Sequence, residues 1–321
     1  MQTPPLHVGA EPPFGPTLED EEPSPPPGSP RQITWARRRA AVRRFWVAFR
    51  NDNMGVAGLT ILVFFICVTI YAVFADKTGL SITEATGPRL TPPSLEYPFG
   101  TDDQGRSVLT LTLHGSKISL LVGLSATVIT MVIGSAVGLI AGFRGGWIDQ
   151  LLMRITDWGL VIPWLMLAIS LASIFGQSLF MIILVIGLTT WPSTARLVRS
   201  QTLSVKERPY VERARALGAS NWHLVTRHVL PNVMPVIMAN TVLIVAIAIL
   251  SETALSFLGL GDPLSKSWGS ILERASNGGA ATQGAWWWLG APGLCIVLVV
   301  LAFTMIGFAL DQIINPRLRE R

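Results

Sequence analysis

The chain has 321 residues, half of them apolar and only 14% charged, with a net charge of +5 and a mean hydropathy of +0.47. That composition belongs to an all-α polytopic membrane protein and excludes an ordinary soluble domain. The basic residues alternate with the apolar segments instead of gathering on one folded face, which argues against nucleic acid as a partner.

Residues 1–30 are rich in Pro, Glu and Gly and carry PSPPPGSP near their end. They read as a disordered tail rather than a signal peptide, since a basic start and an early apolar core are both missing. Residues 31–50 place seven arginines around Trp35, Phe45, Trp46 and Phe49. The segment 31–53 is expected to be a basic interfacial helix on anionic lipid, with a regulatory contact to an ATPase as the alternative.

Six stretches are long and apolar enough to cross a bilayer: 54–75, 118–142, 155–175, 179–197, 233–257 and 289–310. An even number puts both termini on one side. Seven basic residues precede the first span, two lie at 143–154, seven between Arg196 and Arg227, and three in the tail at 312–321. The opposite loops carry four and two. Both termini and the loop after the fourth span are therefore expected in the cytoplasm. The first span stands apart, and 118–311 forms a core of five spans.

The connection 76–117 holds four prolines and closes with FGTDDQGRSVLT. Thr101, Asp102 and Gly105 have the chemistry of a capped turn feeding a helix, and Asp103 and Arg106 are candidates for contacting an external partner. Gly134 and Gly138 form a small-xxx-small pair that permits close helix packing. Arg154 and Asp157, three apart, are expected to pair on one helix, and Pro192 is placed to kink the fourth span. In the fifth span Glu252 is an ionisable group in or near lipid, hence a candidate for a pathway or gate; reaching headgroups or capping a neighbouring helix is the competing role. Trp286, Trp287 and Trp288 are expected to anchor the sixth span at the outer interface. Cys67 and Cys295 are expected to be buried thiols, and His223 and His228, five apart, lack the spacing of a helical metal pair. No phosphate-binding loop motif occurs, so nucleotide would have to bind elsewhere.

The long polar passage 207–232 interrupts this apolar pattern. Pro209 suits a first helical turn, VERARAL favours helix, Gly218 supplies a left-handed stop and Ser220 caps a second helix towards His228. Pro231 is expected to close the loop. Glu212, Ala214, Gly218, Leu230 and Pro231 resemble the EAA loop of permease subunits of ATP-binding cassette importers. Arg213 and His228 stand where that pattern usually has Ala and Ile.

Two further passages, GTDDQGR before the second span and Glu252 to Gly269, resemble the dipeptide, oligopeptide and nickel subfamily. The close at INPRLRER is similar too, with Phe308 and Asp311 in place of an acidic and a basic residue. The resemblance implies a non-catalytic bacterial inner-membrane subunit paired with a second homologous permease. It also implies two ATPase subunits or one fused ATPase chain, and an external substrate-binding protein. ATP and magnesium would sit on the partner chains, with no cofactor or metal on this one. Glu212, Ala214, Arg215, Ala216, Leu217, Gly218 and Ala219 would form the helix that docks on the ATPases. Peptides lead as cargo, with nickel or another chelate next. An ion-coupled secondary transporter would need charged or polar groups near the bilayer midplane, of which the spans are nearly bare, and a membrane enzyme would need a nucleophile–base or metal cluster, of which the sequence shows none.

Overall fold

The computed structural model describes residues 30–75 and 87–314. The first compact unit, Met1–Val47, is seen as most of α1 (Pro30–Arg50), in which Arg39 lies over the Trp35 ring. The proposed tail at 1–30 and most of the C-terminal tail fall outside the described residues.

The second unit, Ala48–Arg321, is a multi-pass bundle. Its helices are α2 (Asn53–Ala75), α3 (Val108–Arg144), α4 (Gly146–Val161), α5 (Trp164–Phe175) and α6 (Leu179–Lys206). After them come α7 (Pro209–Ala216), α8 (Asn221–Leu224), α9 (Leu230–Leu255), α10 (Trp268–Asn277) and α11 (Trp286–Ile314). Among the described residues five helices are long and apolar enough to cross a membrane, and the bent α4–α5 pair makes a sixth if it is one broken span rather than a re-entrant loop. The chain is a multi-pass membrane protein.

The α3–α6 pair is the spine. Gly134, Gly138 and Gly142 recur at the spacing of one helical face and bring the backbones together. A Cβ on Gly138 would lie 2.6 Å from the Ala195 carbonyl, and one on Gly142 would lie 2.8 Å from the Thr202 Cβ. Only hydrogen fits there, so the close approach read from Gly134 and Gly138 extends a further turn. Around this spine lie separate apolar cores. One joins α2, α3, α9, α10 and α11 around Trp268 and Trp288; another joins α3, α6 and α9 to the α7–α8 segment.

Several expectations need correction. The third span is not one helix: α4 and α5 meet at 90° across Ile162–Pro163. Proline at 163 cannot donate to the carbonyl four residues back, and the chain turns there. Arg154 is not paired with Asp157. Asp157 instead accepts from Arg196 on α6 at 2.6 Å, because the tilted α4 brings that face against α6. The fourth span is longer than its apolar window: α6 contains Pro192 and continues nine residues beyond that window to Lys206.

The tryptophan trio divides. Trp286 is exposed, whereas Trp287 and Trp288 are buried, since successive helical residues point about 100° apart. Cys67 is exposed rather than buried, because α2 lies at the edge of the bundle and packs mainly on α11 and α3.

Candidate functional site

The α7–α8 segment begins with Pro209 in the first turn of α7, where a missing N–H costs nothing. Its end is a Schellman turn: Gly218 N–H donates to the Arg215 carbonyl and Ala219 N–H to that of Ala214. Gly218 carries φ of +87°, which glycine alone adopts without strain. The Ser220 hydroxyl accepts from His223 N–H at 3.3 Å and starts α8. The local structure read from Pro209, Gly218 and Ser220 is present.

Pro231, by contrast, closes no loop. From Asn221 the chain runs helically past Pro231 as far as Gly259, whose φ of +78° is not helical. A π-turn at Val225–Val229, in which Leu230 N–H reaches back five residues to the Val225 carbonyl, leads directly into α9. Pro231 sits in the first turn of α9, next to that widened turn, so the run continues through it.

The segment has two faces. Val211 and Leu224 are fully buried and pack with Val198, Val205, Val229 and Val233, fixing α7 and α8 to α6 and α9. The other face is open. Glu212, Arg213, Arg215, Ala216, Leu217 and Gly218 are exposed, with Ala214 and Ala219 half-buried. Leu217 is 88% exposed and Trp222 78% exposed, so two large apolar side chains stand out of a charged surface. Ala214, Leu217, Gly218, Ala219, Ser220 and His223 line an open cleft. Large apolar side chains standing out of a charged surface mark a place where a partner can bind. Trp222 was missed in the sequence; a lone tryptophan within a polar loop was the available signal.

Two ion pairs brace the region behind this surface. Arg199 on α6 grips Asp149 on α4 through Nε and Nη2, at 2.5 and 2.6 Å. Arg196 and Asp157 form the second pair nearer the bend.

The far end of the bundle holds the other candidates. Asp102 is fully buried and accepts at 2.8 Å from the N–H groups of Gln104 and Arg106. It also takes the Arg106 guanidinium at 2.5 and 2.7 Å. Arg106 is thereby 7% exposed, offering little of itself to a partner in this conformation. Asp103 is half-buried, and its Oδ1 has no hydrogen-bond partner.

Glu252 is 1% exposed, so it does not reach headgroups. It accepts from Ser256 Oγ at 2.7 Å and from Ser119 Oγ at 3.3 Å; Ser119 Oγ in turn accepts Trp268 N–H at 3.1 Å. The carboxylate thus joins α9, α3 and the start of α10, a link that needs Ser119, which the sequence did not single out. Above it, Arg106, Lys266, Arg274 and Ser256 help to line a cavity of about 330 Å³. Burial, followed by the nearby Arg274 and Arg106 charges, lowers the Lys266 pKa below the usual lysine value.

Residues 134–320 match the family model for the binding-protein-dependent transport system inner membrane component. The dipeptide transport system permease protein DppC of Alkalihalophilus pseudofirmus is 35% identical over 94% of this chain and 97% of its own length. The oligopeptide transport system permease protein OppC of Bacillus subtilis is 36% identical over 85% of this chain and 88% of its own. Among solved structures, a chain of the inward-facing MetNI methionine ABC transporter aligns with a TM-score of 0.50 at 20% identity. The alignment covers 65% of this chain and 96% of that one, a likeness of fold.

Proposed function

Since this chain belongs to the binding-protein-dependent transport system inner membrane component family, we infer that it is a permease subunit of an ATP-driven importer of di- and oligopeptides. The observation that carries the reading is the α7–α8 segment, fixed to the membrane core by Val211 and Leu224 while Leu217 and Trp222 stand free. A docking element needs both properties: a partner-facing surface, and rigid attachment to whatever it must move.

In this reading the α7 end lies in the cytoplasm of a bacterium, with both termini, and the cytoplasmic membrane is the compartment. Two ATPase subunits, or one fused chain, hold ATP and magnesium and receive residues 212–219. A second homologous permease completes the pathway. An external binding protein delivers cargo to the far end, where Asp103 and the rim around Arg106 are its candidate contacts. This chain performs no catalysis. Glu252 acts as a gate residue by tying α9 to α3 and α10, not as a wall of the route. The ATPases shift the equilibrium between inward- and outward-facing packing only by binding α7–α8 better in one state than in the other.

The test is purification of the tagged chain in mild detergent with identification of co-purifying proteins by mass, then reconstitution with the recovered binding protein. A second permease, P-loop ATPases and ATP-dependent uptake of a labelled tripeptide are expected. Uptake of a nickel chelate in place of peptide would move the cargo to the alternative. A chain recovered alone and transporting on an ion gradient without ATP would overturn the reading.

A further inference from the structure

The break between α4 and α5 is exposed and lies beside the middle of α6, a helix long and apolar enough to cross a bilayer, which is the level of a bilayer's core. It adjoins Thr189, Thr190 and Ser193, near the middle of the 28-residue α6. The carbonyls of residues 159–162 lie beyond the reach of the α4 ladder, and no cross-element backbone bond ends on them. The α5 N-terminus has no side-chain cap. Yet Val161 is 79% exposed, and Leu160, Ile162 and Trp164 are exposed as well.

Hydrocarbon cannot face such groups. Each unpaired main-chain polar group in lipid costs several kcal/mol, so non-helical backbone at this depth persists only where protein or water covers it. A half-open cavity of about 540 Å³ lies against the break, walled by α6 and α9. Its lining is mostly apolar, with hydroxyls from Thr189, Thr190, Ser193 and Ser251. Thr189, Ser193 and Ser251 donate to carbonyls of their own helices and keep lone pairs for an incoming donor, whereas the Thr190 hydroxyl also meets that of Thr130 at 2.6 Å.

We propose that the Ile162–Pro163 break is the part of this chain that lines the aqueous substrate route. Its free carbonyls and the cavity hydroxyls meet the amide N–H groups of a passing peptide. This rests on the permease reading and deepens it. Acceptors drawn from main chain and hydroxyl groups recognise what all peptides share, while an apolar wall holds no side chain strongly. Passage requires that combination of contact and easy release.

The experiment uses the whole complex in lipid nanodiscs, with Cys67→Ala and Cys295→Ala removing the native thiols. Ile162→Cys and Val161→Cys are compared with Val63→Cys on α2 for reaction with a charged, water-soluble methanethiosulfonate. Modification at 161 and 162 is expected to be at least about tenfold faster than at 63, and to slow about fivefold when trialanine and the binding protein are present during ATP turnover. Rates at 161 and 162 no faster than at 63 would show a dry break against the partner permease and overturn the proposal. Fast modification indifferent to trialanine would also overturn it, by placing the water off the peptide's route. Binding-protein-stimulated ATP hydrolysis, measured on the same samples, reports the permease reading separately.

Discussion

Ser119 and Glu252 meet across 133 positions of chain: the Ser119 hydroxyl donates to the carboxylate while accepting the N–H that opens α10. One oxygen serves two elements that would otherwise each bury an unpaired polar group. Ser119→Ala is expected to cost about 1–3 kcal/mol, read as a lower denaturation midpoint in detergent. Glu252→Gln keeps the shape and an acceptor oxygen, so the fold should survive while the outer end of the bundle loosens. Unchanged peptide uptake by Glu252→Gln would end the gate assignment.

Trp222 predicts a different kind of loss. Being 78% exposed, it contributes little to this chain's own stability, and Trp222→Ala should unfold within about 0.5 kcal/mol of the native protein. Its affinity for the ATPase subunits should fall about tenfold or more, as exposed aromatic anchors do when truncated. Gly218→Trp tests the same surface by obstruction: insertion into the membrane is retained, but ATP hydrolysis is uncoupled from uptake. Normal uptake by both variants would exclude this face as the docking surface.

The two α4–α6 ion pairs should behave unequally. Arg199–Asp149 is two-pronged, with side chains 32% and 15% exposed, whereas Arg196–Asp157 has one contact and side chains 56% and 49% exposed. Arg199→Lys loses the fork geometry and should destabilise by about 1–2 kcal/mol; Arg196→Lys should cost about 0–0.5 kcal/mol. Comparable thermal shifts from the two would contradict the difference in geometry.

Lys266 carries a positive charge that burial, Arg274 and Arg106 all disfavour. Its folded pKa is below its unfolded one, so the unfolded chain binds more protons between the two values and stability rises with pH across that window. Lys266→Met should therefore match or slightly exceed the native melting temperature at pH 7, with the advantage shrinking as pH climbs towards 10.5. A lower melting temperature at pH 7 would mean that the ammonium has a stabilising partner.

Chain-local features were readable from sequence. Pro209, Gly218 and Ser220 act through their own backbone preferences, so α7, its left-handed stop and the cap of α8 followed from residue type. Span number and the Gly134–Gly138 approach followed from hydropathy and side-chain size. The misses share another cause, since each depends on what lies opposite. Asp157 pairs with Arg196 rather than Arg154 because α4 is tilted. Trp287 and Trp288 turn inward because α11 packs against α10. Ser119 matters only because α9 and α10 converge on it, and nothing in its own neighbourhood marks it. Pro163 was visible, but its 90° consequence depends on α6 and α9 leaving space beside it.

The helical run from Asn221 to the kink at Gly259 is about 57 Å long at helical rise, nearly twice the thickness of a bilayer's hydrocarbon core. Its first turn carries the exposed Trp222, and its last turns carry Glu252 and Ser256, the latter lining the cavity shared with Arg106. The proposed docking face and the proposed gate residue are therefore carried on one run of helix, so a displacement of one would reach the other through main chain as well as through side-chain contacts. Two π-turns widen the run, one at Val225–Val229 beside Trp222 and one at Ser256–Leu260 beside Glu252, and these are the places where it would give first.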